Sequence, residues 1–454
     1  MRSLDFRTHG FPTAAGINPH ERVRLLRNPR ARLVCYDDPG VSRRSDTSTD
    51  PTTRGVRDLR CAKQGCAKQG NGRRTPVSAD KLHIAIVASN RFPIKQPFAG
   101  GLEAHTWHLA HSLADAGHEV TLFAGPGSDP ALGSTCLDVQ VLELSPQARA
   151  DVSMPSDTFM SDHHAYLRLM LDLAASSQYD VVHNHSLHYL PIAMARTLAT
   201  PVLTTLHTPP TPWIQSAVAA CDGVGTRFAA VSRHTASMWH GIVDEIDIVP
   251  NGVDVLGWPE GSGGPYLAWS GRFTPEKGPH LAIEAAVRAG YPIKLAGPIS
   301  DPEYFAREIG PRLNDRVTYV GHLDQRELAA LVGGAAAALV TPSWDEPYGL
   351  VVAEALACGT PVAAFARGGI PEIVTADCAT LVPADDVDAL AAAIPRTVAL
   401  DRKTVRRHAI LRCSAETMLD AYLHLYRGMM SAPVTRLHDP VKHLRPAGRR
   451  RRPA

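Results

Sequence analysis

The sequence predicts an α/β protein made of two doubly wound, parallel-sheet domains that face each other across a cleft. Three observations carry this. Short apolar runs alternate with stretches of helical periodicity, the signature of successive βαβ units. The alternation stops at a Gly-, Pro- and Ser-rich stretch, LGWPEGSGGP over 256–265. It then restarts, so the chain holds two such series.

Order is expected to begin at Lys81. Residues 82–89 (LHIAIVAS) are a near-continuous apolar run, as in a strand buried on both faces of a parallel sheet. A loop with Gly100 and Gly101 follows, and 102–117 spaces its apolar residues as a helix that stops on Gly117. Further strands are expected at 119–124, 180–183, 201–207 and 227–232. Past the break they recur at 266–270, 293–296, 317–320, 338–341 and 361–365, and 415–429 reads as a closing helix. The expected division is a first domain over 81–252, joined by the closing helix at 415–432, and a second over 253–414.

The 454 residues carry a net charge of +2, with 44% hydrophobic and 20% charged side chains, ordinary values for a globular protein. That total hides an asymmetry. Residues 1–80 hold 16 Lys/Arg against 8 Asp/Glu and 432–454 hold 7 against 1, which leaves 81–431 at 24 against 36. A body this acidic is a poor nucleic-acid binder. Residues 1–80 lack any sustained period and contain the tandem repeat CAKQGCAKQG at 61–70. They are expected to be a disordered basic leader, or a start placed too far upstream. Residues 433–454 end in Arg449 to Arg452 and are expected to be a solvated basic tail, with weak attachment to an anionic membrane face as its sharper use. No run approaches the roughly 18 apolar residues of a membrane span, and no secretory pattern opens the chain. The eight cysteines form no CxxC pair, which argues against a zinc ribbon or a disulfide scaffold and fits a cytoplasmic setting.

The strongest chemical feature runs from Ser343 to Pro361, SWDEPYGLVVAEALACGTP. A strand ends near Thr341, a loop holds Glu346, and Gly349 releases the chain into a helix. Glu346 then precedes the helix N-terminus, while Glu354 lies about 7 Å along it. Between them the free N–H groups of Gly349, Leu350 and Val351 make an anion site. Carboxylates beside a bound phosphate are better used as hydroxyl acceptors on either side of it, one for a sugar and the other for a ribose. The cations come from Ser270-Gly271-Arg272 and Lys277-Gly278, which follow the first strand of the same domain. Arg272 can clamp phosphate oxygens bidentately and Lys277 adds a mobile point charge. Each alone reads as a solvated loop charge. Beside a helix terminus at the same sheet edge, they read as a phosphate site.

With these residues in order, 81–431 resembles the glycosyltransferases of family 4. The resemblance rests on Gly100-Gly101-Leu102-Glu103, His207-Thr208, Asn251-Gly252-Val253-Asp254, Gly271-Arg272 with Lys277-Gly278, the Glu346 and Glu354 pair, and Gly368-Gly369-Ile370-Pro371-Glu372. It implies a GT-B fold, a closing helix that packs back on the first domain, and retaining transfer of a hexose-type unit from a UDP- or GDP-sugar. It further implies that Arg272 and Lys277 hold and stabilise the departing diphosphate. Glu346 would contact the donor sugar, Glu354 the ribose, Gly349 to Val351 the phosphates, and His322-Leu323 the base. Gly100 and Gly101 would let backbone approach the diphosphate, and His207 would touch the donor sugar near the acceptor. Tyr348 stands where the family more often has Phe. The leader and tail have no counterpart.

No metal or other cofactor is implied. Asp386-Val387-Asp388 opens a helix, where carboxylates serve the helix dipole. His105, His108 and His111 recur along one helix and are expected to decorate its half-buried face. His183-Asn184-His185 has the look of a metal-ligand pair, for which zinc would require a convergent third or fourth ligand and hydrogen-bonded support for its ligands. An epimerase or phosphorylase on the same architecture would require an acid and a base around the sugar. A non-catalytic sugar-nucleotide binder would be expected to lose one of Arg272, Lys277, Glu346 or Glu354. The acceptor is expected to meet loops such as 151–164 and 208–215. There Pro209, Pro210 and Trp213 make either an apolar platform for a lipid or aromatic acceptor, or a packing cluster.

Overall fold

The computed structural model describes residues 81–137, 144–153 and 156–431. The leader over 1–80 with its repeat, and the tail over 433–454, lie outside them. Two all-parallel sheets organise the described chain. In the first, β1 (His83–Val87) lies between β2 (Glu119–Ala124) and β4 (Val181–Asn184), and β3 (Ser134–Cys136) flanks β2. Beyond β4 come β5 (Val202–Leu206), β6 (Thr226–Ala230) and β7 (Ile246–Ile248). In the second, β8 (Leu267–Ser270) lies between β9 (Ile293–Ala296) and β11 (Ala337–Val340). Outside these lie β10 (Val317–Tyr319), β12 (Val362–Phe365) and β13 (Ala379–Val382).

The central strands are buried because helices cover both faces, and their sequences are correspondingly apolar. Strand order reverses between β1 and β4 in one sheet and between β8 and β11 in the other. Ligands of such sheets bind at these switch points, outside the carboxyl ends of the strands. The loops that carry Gly100, Arg272 and Glu346 all leave from there.

Every strand read from the sequence is present. The structure adds β3, β7 and β13, each of three or four residues at the edge of a sheet. An edge strand needs few apolar residues, so its period is too short to stand out.

The chain passes between the domains twice, and the two passages are bonded to each other. The Val253 N–H donates to the Cys413 carbonyl at 2.8 Å, and the Ala415 N–H donates to the Val253 carbonyl at 2.9 Å. The closing helix (Ala415–Ser431) then packs on the first domain, burying Met418, Tyr422 and Tyr426 against Ile84, Ile86, Leu109 and Leu113. Both tyrosine hydroxyls are satisfied there. Tyr426 Oη lies 2.6 Å from His183 Nδ1 and Tyr422 Oη lies 3.2 Å from Thr205 Oγ1. Among the described residues no helix is long and apolar enough to cross a membrane.

This helix is thus a core element of the first domain supplied from the far end of the chain. Tyr422→Ala should cost about 3–5 kcal/mol, as large-to-small core changes do. Urea denaturation checks this, and tryptophan signals from the first domain should report the loss.

Candidate active site

Between the sheets lies a cleft of about 390 Å³. All twelve residues singled out from the sequence line it. From the first domain come Gly100, Gly101 and His207; from the second come Gly271, Arg272, Lys277, Leu323, Glu346, Gly349, Leu350, Val351 and Glu354.

At its centre Lys277 Nζ and Glu346 Oε1 form an ion pair. The residue expected at the diphosphate and the one expected at the sugar are therefore bound to one another. Trp344 Nε1 donates to the same carboxylate oxygen at 3.1 Å, and its ring lies 5.1 Å from the ammonium. The two loops are tied directly. The Thr341 hydroxyl donates to the Gly278 carbonyl at 2.8 Å, and the Ser343 N–H donates to the Glu276 carbonyl at 2.8 Å. A third loop fixes the glutamate's backbone. Gly369 N–H donates to the Glu346 carbonyl at 2.7 Å. Gly368 has φ +58°, and a Cβ there would come within 2.1 Å of that carbonyl, so only glycine fits. Arg272 is more exposed, with Glu276, four residues on, 3.8 Å away.

Gly349 caps the helix Leu350–Ala357 at φ +112°, a conformation that aims the chain into the helix without a side-chain cap. The first N–H groups of that helix face the cleft, as expected of an anion site. Glu354, four residues into the helix, is held among apolar neighbours, and removal from water pushes its carboxyl up from 4.5 to about 7.

The first domain faces this arrangement closely. A Cβ on Gly101 would stand 3.3 Å from Leu350 Cδ1. Glu103, quoted with the glycine pair but given no role, is buried in the same wall. Burial raises its carboxyl, and the nearby Arg272 and Arg91 charges oppose that rise. Asn251 and Trp258 also line the cleft, each with a buried polar atom that has no protein partner, Oδ1 and Nε1 respectively. Glu103 had a signal in its place beside the glycines. Asn251 had one in its motif, and Trp258 had none.

The histidines correct the sequence reading. His105 is not a half-buried decoration in series with His108 and His111; it is 1% exposed. Its ring lies 5.2 Å from that of His185 and 5.0 Å from that of His207. His185 Nδ1 and His207 Nε2 share a hydrogen bond of 2.9 Å. Both nitrogens of His105 and Nε2 of His185 have no hydrogen-bond partner. Burial keeps these rings neutral, with His207 pushed down to about 3. Among the described residues this trio, with nitrogens within 4.8 Å of one another, is where a transition-metal ion would find ligands. The hydrogen bond between His185 and His207 already satisfies one nitrogen of each. His111 instead stacks on Trp107 at 4.8 Å, near the surface.

The domains also touch beyond the cleft. The Ser232 and Thr235 hydroxyls donate to the Pro347 carbonyl at 2.5 and 3.1 Å. The Glu372 carboxylate accepts the N–H groups of Arg233 and His234 at 2.9 and 2.7 Å, capping the helix Arg233–Met238 from the opposite domain.

Residues 99–255 match the sequence profile of Glycosyltransferase Family 4, and 257–409 that of Glycosyl transferases group 1. A glycogen synthase of Mycobacterium tuberculosis is 30% identical over 354 residues, covering 68% of this chain and 85% of that protein. A D-inositol 3-phosphate glycosyltransferase of Mycolicibacterium paratuberculosis is 30% identical over 407 residues, 76% of this chain and 90% of that one. Among solved structures, sucrose-phosphate synthase from Thermosynechococcus elongatus superposes with a TM-score of 0.63 at 21% identity, covering 78% of this chain and all, 100%, of that one. HepE of Anabaena, in complex with UDP-glucose, gives 0.59 at 16% identity over 76% of this chain and 100% of its own.

Glu354 has a measurable consequence for stability. Its folded pKa of about 7 exceeds the ordinary 4.5, so its contribution is complete below pH 4.5 and is lost as pH rises through about 7. Glu354→Gln should therefore stabilise the protein near pH 8, by at most ~3 kcal/mol, and leave it unchanged near pH 4. Urea unfolding at the two pH values checks the difference.

Proposed function

Because the chain belongs to the glycosyltransferases of family 4, with their two-domain GT-B fold, we propose that it moves a hexose-type unit, with retention, from a UDP- or GDP-sugar to an acceptor hydroxyl. The observation that carries this reading is the convergence of Arg272, Lys277 and the N-terminus of Leu350–Ala357 on one cleft wall, opposite Gly100 and Gly101. Relatives add support: HepE was crystallised with UDP-glucose, and the similar mycobacterial proteins are a glycogen synthase and an inositol 3-phosphate glycosyltransferase.

In this mechanism the bond between the sugar's anomeric carbon and the diphosphate oxygen breaks, and negative charge grows on the departing diphosphate. Arg272, Lys277 and the N–H groups of Gly349, Leu350 and Val351 stabilise that charge, the main source of acceleration. The acceptor oxygen attacks the same face and gives its proton to the departing phosphate. Glu346 holds sugar hydroxyls, and its pairing with Lys277 puts the sugar-holding and phosphate-holding groups in one rigid unit. Glu354 holds the ribose, Leu323 lines the base, and His207 meets the sugar from the first domain. No residue serves as a covalent nucleophile, and no metal or other cofactor enters.

Arg272→Ala and Lys277→Ala should each lower kcat by about 10²–10³, as loss of a charge-stabilising donor does. The assay is release of UDP or GDP from their sugars. Wild-type turnover should be the same with and without a chelator.

The two glutamates should fail differently. At pH 8, where the Glu354 carboxyl is ionised, Glu354→Gln should weaken binding of bare UDP or GDP by roughly tenfold to a hundredfold, the worth of a charged hydrogen bond. Glu346→Gln should spare the bare diphosphate, which has no sugar to hold, and reduce turnover of the full donor. Calorimetry and kinetics separate the two outcomes.

A further inference from the structure

Of the Phe, Tyr and Trp side chains among the described residues, only Phe92 and Trp213 are substantially exposed, at 46% and 48%. Both leave the carboxyl edge of the first sheet, after β1 and β5. Phe92 lines the donor cleft, as do Thr208, five residues before Trp213, and Leu187, which directly precedes His188 and Tyr189.

Trp213 is the outer end of an array of stacked, nearly parallel rings. Its indole lies 5.3 Å from Tyr189 at 18° and 5.6 Å from Phe159 at 26°. Tyr189 in turn stacks on His188 at 4.7 Å, and His188 on Tyr166 at 4.4 Å. On the helix Asp157–Ala175, Phe159, His163 and Tyr166 recur at i, i+4 and i+7, one continuous face. Tyr166 also ties the array to the Phe92 loop, because its hydroxyl accepts the Asn90 N–H at 3.1 Å.

The rim of the array is polar. The Tyr189 hydroxyl lies 2.8 Å from His163 Nδ1. His188 Nδ1 accepts the Leu190 N–H at 3.2 Å, which leaves its proton on Nε2 as a donor. Burial, with His163 adding to it, pushes His188 down to about 4, so the ring is neutral at ordinary pH.

We propose that this array is an acceptor subsite and that its occupant is the pyranose ring of a saccharide. Resting on the reading of the cleft as a donor site, it names the class of acceptor. A pyranose presents C–H groups on its face and hydroxyls around its edge, matching the exposed indole of Trp213 with an imidazole donor beside it. A lipid chain would leave the His188 Nε2–H, the donor not used within the array, without a partner. Leu187 and Thr208, which line the donor cleft, adjoin the array in sequence and connect the subsite to the donor side.

The test is saturation-transfer NMR on the full chain with UDP or GDP bound, using maltotriose and methyl α-mannopyranoside as saccharide probes. 1-Octanol and 4-methoxyphenol represent lipid and aromatic alcohols. At least one saccharide should receive transfer. Trp213→Ala should weaken that binding about threefold to tenfold, the scale of one aromatic contact, and Trp213→Phe should restore most of it. Calorimetric affinity for the nucleoside diphosphate should be unchanged in both variants, and circular dichroism should show intact folds. Transfer confined to octanol or methoxyphenol, no transfer to either saccharide, or saccharide binding that survives Trp213→Ala each overturns the subsite. Failure of the wild type to bind any nucleoside diphosphate overturns the donor reading and the subsite with it.

Discussion

The backbone around Glu346 is the point on which the cleft depends. Three loops from one sheet and a helix from the other domain converge on it. The β8 loop supplies Lys277 to its carboxylate, and Trp344, two residues away, supplies an indole N–H. Gly368 and Gly369, after β12, close over its carbonyl, and Ser232 and Thr235 hold the next carbonyl, that of Pro347, from across the cleft. A carboxylate 9% exposed needs such partners, because an unpaired buried charge is strongly unfavourable. The same partners also fix its direction. The arrangement that makes burial tolerable is therefore the one that makes the group useful.

Elsewhere the cleft combines charged and neutral groups according to what each wall can solvate. The second domain holds the permanent cations and a helix terminus, both suited to a dianionic leaving group. The first domain's wall carries His108 and His207, imidazoles that burial keeps uncharged, together with Glu103. Neutral rings hydrogen-bond hydroxyls without adding net charge. In the proposed reading the second domain's wall is chiefly for phosphate and the neutral rings of the first, with Arg91 beside them, are for hydroxyls.

Much of this was legible in the sequence because it rests on short-range rules. Apolar runs and their spacing located every central strand, and the Gly349 stop between Glu346 and Glu354 located the helix terminus. What was not legible depends on contacts distant in sequence. The edge strands β3, β7 and β13 are too short to carry a period. His105 was grouped with His108 and His111 by helical spacing, yet its partners His185 and His207 arrive from β4 and β5 across the sheet. The pairing of Lys277 with Glu346, 69 residues apart, was likewise invisible, although both residues stood out singly. Pattern identifies the groups; the sheet order decides which of them meet.

Glu372 shows how the site and the domain arrangement are joined. It sits in the motif whose glycines lock the Glu346 backbone, and its own carboxylate caps a helix of the other domain. It is exposed, so those two bonds are individually weak in water. The hydrogen bond of His322 to the Phe98 carbonyl at 3.0 Å and that of Gln96 to Gln325 at 3.3 Å are of the same kind. Contacts of this type hold two domains together without fixing them, as interfaces within a chain commonly do. The bonded crossings at Val253 and Cys413 are different, since they are backbone pairs on which the motion must turn. The proposed exchange of a nucleotide sugar for a diphosphate would call for this division. Its hinge is strong and its rim is weak, and the loop bearing Glu346 is rigid within its own domain whichever way the rim moves.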